Sequence, residues 1–127
     1  MAKFYVTTSI PYVNAVPHLG HAMEFIQADV LARYHRQIGD EVLYSTGTDE
    51  HGSKIAEKAA EQGMSTEDFV ASNVAEFKTL LTQLNITNDK FIRTTDPDHE
   101  NRVQIIWKNL EEHIYKNLYV GLYCSGC

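Results

Sequence analysis

The alternation of short β-rich segments with longer helical segments is the feature that most constrains the fold of this chain. Three segments predict strands: residues 4–8, 41–46 and 90–94. Four segments predict helices, the first over residues 17–38 and the second, a short one, over residues 53–62. The third is capped by Ser65, and the fourth is capped by Asp96 and has Pro97 at its first position. Strands that alternate with helices predict an α/β fold, a Rossmann-like parallel sheet with helices on both faces.

The apolar pattern also predicts which faces are buried. The first strand is expected to be buried on both faces, because its apolar run does not alternate with polar residues. Three helices have apolar residues at helical spacing and are expected to bury them: Leu19, Met23, Ile26, Val30 and Tyr34 in the first, Val70, Val74, Phe77, Leu81 and Leu84 in the third, and Val103, Ile106, Leu110 and Ile114 in the last. The tail from Leu118 predicts a short hairpin.

Composition excludes several classes of protein. The chain has 127 residues and a net charge of -6, which argues against a broad nucleic-acid surface, since such a surface needs clustered basic residues. It contains neither a run of 18 apolar residues that would cross a membrane nor a signal pattern at its N-terminus. We therefore expect a cytoplasmic protein of one main domain.

Two histidines open the first predicted helix, after the loop that follows the first strand. His18 and His21 are three residues apart and share a face of the first helical turn. That turn offers unpaired N–H groups and the positive end of the helix dipole, so two imidazoles there suit phosphate oxygens. Gly20 would let a flat base or sugar approach the backbone closely. With Pro17 before it, the motif favours nucleotide binding.

Two other interpretations of the histidine pair are open. One is a pair of exposed or capping histidines with no ligand, which the His-x-x-His spacing alone favours. The other is a metal site with Glu24 as third ligand, but Glu24 lies ~120° around the helix from His18. The position of the pair after a strand and its loop, together with Pro17 and Gly20, favours the nucleotide interpretation over both.

A second polar cluster, residues 46–52, follows the second predicted strand. Asp49 is placed to receive a substrate ammonium group or, as a weaker alternative, a magnesium ion. The plainer interpretation is a polar turn in which Asp49 caps the next helix. Because ligands of such sheets bind beyond the carboxyl ends of the strands, the two clusters together predict one shared site.

The only cysteines, Cys124 and Cys127, stand at the end of the chain. A Cys-x-x-Cys pair with a glycine in its turn is typical of half a four-ligand zinc site. A redox pair is the alternative, although such pairs usually stand at a helix start. We expect Zn²⁺, bound weakly by this half-site alone.

These motifs resemble those of the methionyl-tRNA synthetase family, which belongs to the class I aminoacyl-tRNA synthetases. The HLGH sequence of residues 18–21 is similar to the His-Ile-Gly-His signature of that class. Residues 5–14, 46–52 and 91–95 are also similar to the family, and Cys124 and Cys127 resemble the start of its zinc-knuckle insertion. The resemblance implies that residues 1–117 form the first half of a class I nucleotide-binding fold and that residues 118–127 begin the insertion.

The resemblance also implies a reaction and a set of site residues. The reaction is the ATP-dependent activation of methionine to methionyl-adenylate, followed by transfer of the methionyl group to tRNA(Met). ATP would act with Mg²⁺, and the full-length enzyme would hold Zn²⁺. The implied roles are catalysis by His18 and His21, ATP binding by Pro17, His18, Gly20, His21 and Glu24, methionine binding by Ser9, Ile10, Tyr12 and Asp49, and zinc binding by Cys124 and Cys127.

The resemblance covers only the N-terminal part of such an enzyme. The family's Lys-Met-Ser-Lys-Ser loop, which supplies further cations to the phosphates, has no counterpart in these residues. We therefore expect little or no adenylation by the 127-residue chain when it is assayed beside a full-length version. The alternative functions are a cytidylyltransferase-like nucleotidyltransferase, which uses a similar His-x-Gly-His motif, and a non-catalytic module that binds zinc or tRNA.

Overall fold

The computed structural model describes residues 1–121 and shows an α/β fold. Strands and helices alternate as predicted: β1 (Lys3–Thr7), α1 (Leu19–Gln37), β2 (Glu41–Thr48), α2 (Ser53–Glu61), α3 (Thr66–Gln83), β3 (Lys90–Arg93) and α4 (Pro97–Asn109), followed by a 3₁₀ turn (Glu111–His113). The three strands pair in parallel in the order β1-β2-β3, which confirms the parallel sheet. Within residues 1–121, no helix is long and apolar enough to span a bilayer.

Local sequence signals set the ends of the helices. Helix α1 begins at Leu19 with His18 as its N-cap, two residues later than predicted, so Pro17 precedes the cap. The hydroxyl of Ser65 accepts a hydrogen bond from the Asp68 N–H and caps α3 as predicted. Asp96 occupies the cap position of α4, but its carboxylate accepts from the Arg93 N–H and not from the helix.

Strand β2 continues two residues beyond its predicted end, to Thr48, because Gly47 permits a close approach to β3. A Cβ atom on Gly47 would lie 2.1 Å from the carbonyl oxygen of Ile92. Only a residue without a side chain fits at that distance, so the pairing of Gly47 with Ile92 extends the central strand toward the loop that follows it.

The buried face of α1 differs from the predicted one. The predicted residues Leu19, Met23, Ile26, Val30 and Tyr34 are all exposed. The residues that face inward are Ala22, Phe25, Ala28, Asp29 and Ala32. Small side chains on this face bring the helix close to the sheet, where Ala28 and Ala32 pack on Tyr44. The larger apolar face of α1 has no partner within residues 1–121.

Two further predictions of burial were wrong. Tyr5 of β1 and Leu43 of β2 are exposed, so this part of the sheet is covered on one face within residues 1–121 and not on both. In and after α4, Val103, Ile106, Leu110 and Ile114 are exposed, although they were predicted to face inward. The periodic pattern shows that α4 is amphipathic, but it does not supply a surface for the helix to cover.

Helix α3 supplies the main core, as predicted for four of its five apolar positions; the fifth, Leu84, is the C-cap residue and is only half-buried. Its residues Val70, Val74, Phe77 and Leu81 are buried against residues of α1, α2 and the loop after β1: Val13, Phe25, Ile55 and Ala59. The side-chain amide of Asn73 donates to the carbonyl oxygen of Val13 at 2.8 Å. This contact fixes the loop that leads to the two histidines.

The C-terminal predictions are largely outside the described residues. Residues 118–121 contain no strand, and the remainder of the predicted hairpin cannot be compared. Cys124 and Cys127 also lie outside the described residues, so the predicted zinc half-site stays a prediction.

Candidate nucleotide-binding site

The loops that follow β1 and β2 lie side by side, as the shared-site prediction requires. Tyr12 and Asp49 form a parallel bridge between the two loops. The Val13 N–H donates to the carbonyl oxygen of Asp49 at 3.2 Å, and the Asp49 N–H donates to the carbonyl oxygen of Pro11 at 2.8 Å. The main chain therefore holds the two polar clusters together without help from a ligand.

The two histidines form a stacked pair at the start of α1. Nδ1 of His18 accepts from the Gly20 N–H at 3.1 Å, and Nδ1 of His21 accepts from the His18 N–H at 3.2 Å. The ring centroids are 3.8 Å apart with an interplanar angle of 23°. Because both Nδ1 atoms accept hydrogen bonds, each neutral ring carries its proton on Nε2. The capping interpretation is thus correct for Nδ1, while each Nε2–H remains a donor suited to a phosphate oxygen.

The environment of the pair disfavours a positive charge on His21. Burial lowers the pKa of His21 below its ordinary value, and the neighbouring His18 lowers it further, against a smaller opposing effect of Glu24. His21 is therefore mostly neutral at pH 7 and acts as a hydrogen-bond donor more than as a cation.

Replacing His18 by asparagine is expected to raise the pKa of His21. Asparagine can still cap α1, but it removes the imidazole charge that opposes protonation of His21. The rise should be partial, because burial is the larger cause and remains. A titration of the His21 ring followed by NMR measures it, with His113→Asn as a control that should leave His21 unchanged. An unchanged pKa of His21 in His18→Asn would show that the two rings do not interact.

A cavity of about 470 Å³ opens beside the histidine pair. Its wall is formed by residues of the loop after β1, the start of α1 and the first turn of α2: Tyr12, Asn14, Ala15, Val16, His18, His21 and Lys54. The structure thus brings Tyr12 to the histidines. Asp49 contacts Tyr12 through its main chain, but its side chain is not part of this wall within residues 1–121.

Glu24 and Ser9 contact each other at the rim of the site. The Glu24 carboxylate accepts from the Ser9 N–H at 2.7 Å and from the Ser9 hydroxyl at 2.8 Å. Glu24 therefore positions the loop after β1, and Ile10, next to Ser9, is exposed there. Among the residues described, no group of three metal-binding side chains comes together, so the metal interpretation with Glu24 gains no support.

Gly52 allows Tyr12 to pack against the start of α2. Gly52 has φ +136°, a conformation that other residues rarely adopt, and a Cβ there would lie 2.1 Å from the Tyr12 hydroxyl oxygen. Gly52, the last residue of the second cluster, therefore leaves room for the Tyr12 side chain.

The sequence did not predict the ion pair of Glu50 with Arg93. Both nitrogens Nε and Nη2 of Arg93 donate to the Glu50 carboxylate, at 2.8 and 2.9 Å, and the hydroxyls of Thr48 and Thr95 donate to it as well. The Glu50 N–H donates to the hydroxyl of Thr94 at 2.9 Å. These bonds fix the loop after β2 to the end of β3, one residue from Asp49.

The balance of these contacts keeps Glu50 ionised. Burial alone raises the pKa of a carboxyl group, but the hydrogen bonds from Arg93, Thr48 and Thr95 outweigh it, and the pKa of Glu50 is lowered. The sequence signal was an acidic residue and an arginine at the carboxyl ends of strands that prove to be neighbours.

Comparisons with known proteins show which family this chain is similar to. The sequence model of the family described as "tRNA synthetases class I (M)" matches residues 4–127. The methionine–tRNA ligase of Rhizobium meliloti is 46% identical over 124 residues, which cover 96% of this chain and 24% of that protein. That of Thermotoga maritima is 46% identical over 127 residues, which cover 98% of this chain and 20% of that protein.

A solved structure is similar as well. The methionyl-tRNA synthetase of Mycobacterium tuberculosis in complex with methionyl-adenylate superposes with a TM-score of 0.86 and 44% identity, covering 88% of this chain and 22% of that chain. The chain thus spans about a fifth to a quarter of the length of the relatives that it matches.

Proposed function

The chain belongs to the family of class I tRNA synthetases of the methionine type, and from that premise we propose that it forms the N-terminal part of a site where ATP activates methionine. The observation that carries the proposal is the stacked pair of His18 and His21, which presents two Nε2–H donors beside a cavity at the start of α1. The family match also favours a synthetase over a cytidylyltransferase.

In the proposed reaction, a methionine carboxylate oxygen attacks the α-phosphorus of ATP. The bond from that phosphorus to the bridging oxygen breaks, pyrophosphate leaves, and methionyl-adenylate remains. A hydroxyl of the terminal adenosine of tRNA(Met) then attacks the methionyl carbonyl carbon, and AMP leaves. His18 and His21 donate hydrogen bonds to oxygens of the α-phosphate as its charge grows, so catalysis is electrostatic and positional.

The other site residues are proposed to hold the two ends of the adenylate. Pro17 and Gly20 would lie against ATP at the start of α1, and Glu24 acts through its bonds to Ser9. Methionine would lie against Ser9, Ile10 and Tyr12, with its ammonium group on Asp49. Mg²⁺ would accompany ATP, Cys124 and Cys127 would provide part of a zinc site, and we infer a cytoplasmic location.

Calorimetry with ATP, methionine and a non-hydrolysable methionyl-adenylate mimic tests this proposal on the chain itself. The mimic is expected to bind most tightly, because one molecule contacts both loops and the two contacts reinforce each other. His21→Ala should weaken ATP binding by about tenfold or more, since it removes a hydrogen bond to a charged group. His113→Ala serves as the control and should bind as the wild type does.

Two results would contradict the proposal. Tighter binding of CTP than of ATP would favour the cytidylyltransferase. Binding of zinc or tRNA without any binding of ATP or the mimic would favour the non-catalytic module.

A further inference from the structure

Asn73 is a polar residue in the apolar core. It lies in the middle of α3, on the side where Val70 and Val74 are also buried, and only 7% of it is exposed. An amide at this position costs stability, because it is removed from water and because asparagine is a poor helix former. Among residues 1–121 it is the only buried side-chain amide, and its side chain makes one hydrogen bond, to the carbonyl oxygen of Val13 at 2.8 Å. That bond is the physical reason for an asparagine at this position.

Val13 links α3 to both loops of the site. Its N–H donates to the carbonyl oxygen of Asp49 at 3.2 Å, its carbonyl oxygen accepts from Asn73, and the residue is fully buried. Among the described residues, the Asn73 bond is the only side-chain hydrogen bond between α3 and either loop. Because a helix packed in the core is more rigid than a loop, this bond sets where Val13 lies.

The proposed site has two sides that Val13 connects. The methionine side consists of Tyr12 and Asp49, and the phosphate side consists of His18 and His21. In the chain, Val13 follows Tyr12 directly and begins the stretch that leads along the cavity wall to the histidines. A shift of Val13 therefore moves the two sides relative to each other.

We propose that Asn73 is a positioning residue, which holds the methionine side and the phosphate side in one relative position through the Val13 carbonyl. The inference rests on the proposed function. Asn73 is not part of the cavity wall, so it acts through Val13 and not on a ligand. ATP and methionine each contact mainly one side, but methionyl-adenylate spans both. A displacement of one side therefore weakens the adenylate most and misaligns the methionine carboxylate with the α-phosphorus.

The test compares Asn73→Val with Leu81→Ala by calorimetry, using ATP, methionine and the methionyl-adenylate mimic as ligands. Asn73→Val keeps a buried side chain of comparable size but cannot donate to Val13. It should weaken the mimic by about tenfold, and ATP and methionine by less than about twofold, since fewer molecules hold both sides in position. Leu81→Ala removes volume from the same core about two turns further along α3. Measured below its unfolding midpoint, this control should bind all three ligands as the wild type does.

Hydrogen exchange on the wild type tests the same inference without a substitution, in case Asn73→Val does not fold. Exchange of the Val13 N–H and of the Asn73 side-chain amide, followed by NMR, reports how often the bonds at Val13 open. A ligand that needs these bonds must also stabilise them, because such coupling is reciprocal. The mimic should therefore slow both exchange rates by more than saturating ATP or methionine does. Equal rates with all three ligands would overturn the inference.

The outcomes separate this inference from the proposed function. If the wild type binds ATP and the mimic with dependence on His21, but Asn73→Val binds the mimic equally well or loses all three ligands to the same extent, only the role of Asn73 is wrong. A loss in Leu81→Ala that is as selective for the mimic would show that packing of α3 in general is the cause, which also overturns the inference. If the wild type binds neither ATP nor the mimic, the proposed function fails and this inference fails with it.

Discussion

Replacing Arg93 by methionine is expected to lower the free energy of unfolding by about 3–5 kcal/mol. The side chain of Glu50 is fully buried, at 0% exposure, while that of Arg93 retains 30%. The variant leaves a buried carboxylate without its counter-charge and without two of its hydrogen bonds. Urea denaturation of both proteins measures the loss, provided that the slope of the transition stays constant.

Two variants show whether the cost comes from the unpaired carboxylate. Adding Glu50→Gln to Arg93→Met removes the buried charge and should recover part of the lost stability. Arg102→Met breaks the exposed pair with Asp98 and should have no measurable effect. Equal losses in Arg93→Met and in the double variant would show that the charge of Glu50 is not the cause.

The dependence on pH follows from the same pair. In the wild type the pKa of Glu50 is lowered, so its contribution is present above the pKa of an unfolded glutamate and is lost as the pH falls through the folded value. In Arg93→Met the pKa of Glu50 moves up. The difference in stability between the two proteins should therefore narrow in acid, because Glu50 is then protonated in both.

The helices and strands were predictable from sequence. Their buried faces were predictable only where another helix or strand of the described residues covers them. On α3 the apolar stripe is the buried stripe, because α1 and α2 cover it. On α1 the sequence contains two candidate faces, and the larger apolar residues predict the wrong one. The buried face includes Asp29, so this face looks polar in the sequence. In the structure the Asp29 carboxylate accepts hydrogen bonds from the N–H and the hydroxyl of Thr87.

The site was predictable to the extent that its chemistry is local. His18 and His21 lie within one helical turn, so their common face follows from spacing alone. The proximity of the two loops, which the bridge between Tyr12 and Asp49 shows, followed from the rule that loops at the carboxyl ends of strands meet. The bond of Glu50 to Arg93 spans 43 positions of sequence, and only the order of the strands shows that the two residues are neighbours.

The alanine variant of Phe77 is expected to change both the core and the histidine pair. Phe77 is fully buried, and its ring meets that of His21 edge to face with centroids 5.1 Å apart. Removing the ring leaves a cavity in the main core and should lower the free energy of unfolding by about 3–5 kcal/mol. It should also admit water to His21 and raise its pKa toward the ordinary value, because burial is the main cause of the lowering.

Phe77→Leu separates the two effects. Leucine keeps most of the apolar volume, so the loss of stability should be less than about 1.5 kcal/mol, and His21 should stay shielded from water. Urea denaturation and an NMR titration of His21 measure both quantities on the same samples. If Phe77→Ala lost stability as expected but left the pKa of His21 unchanged, the core would not control the charge of the histidine. The donor character of His21 would then depend on its contact with His18 alone, and the link from the packing of α3 to phosphate binding would be wrong.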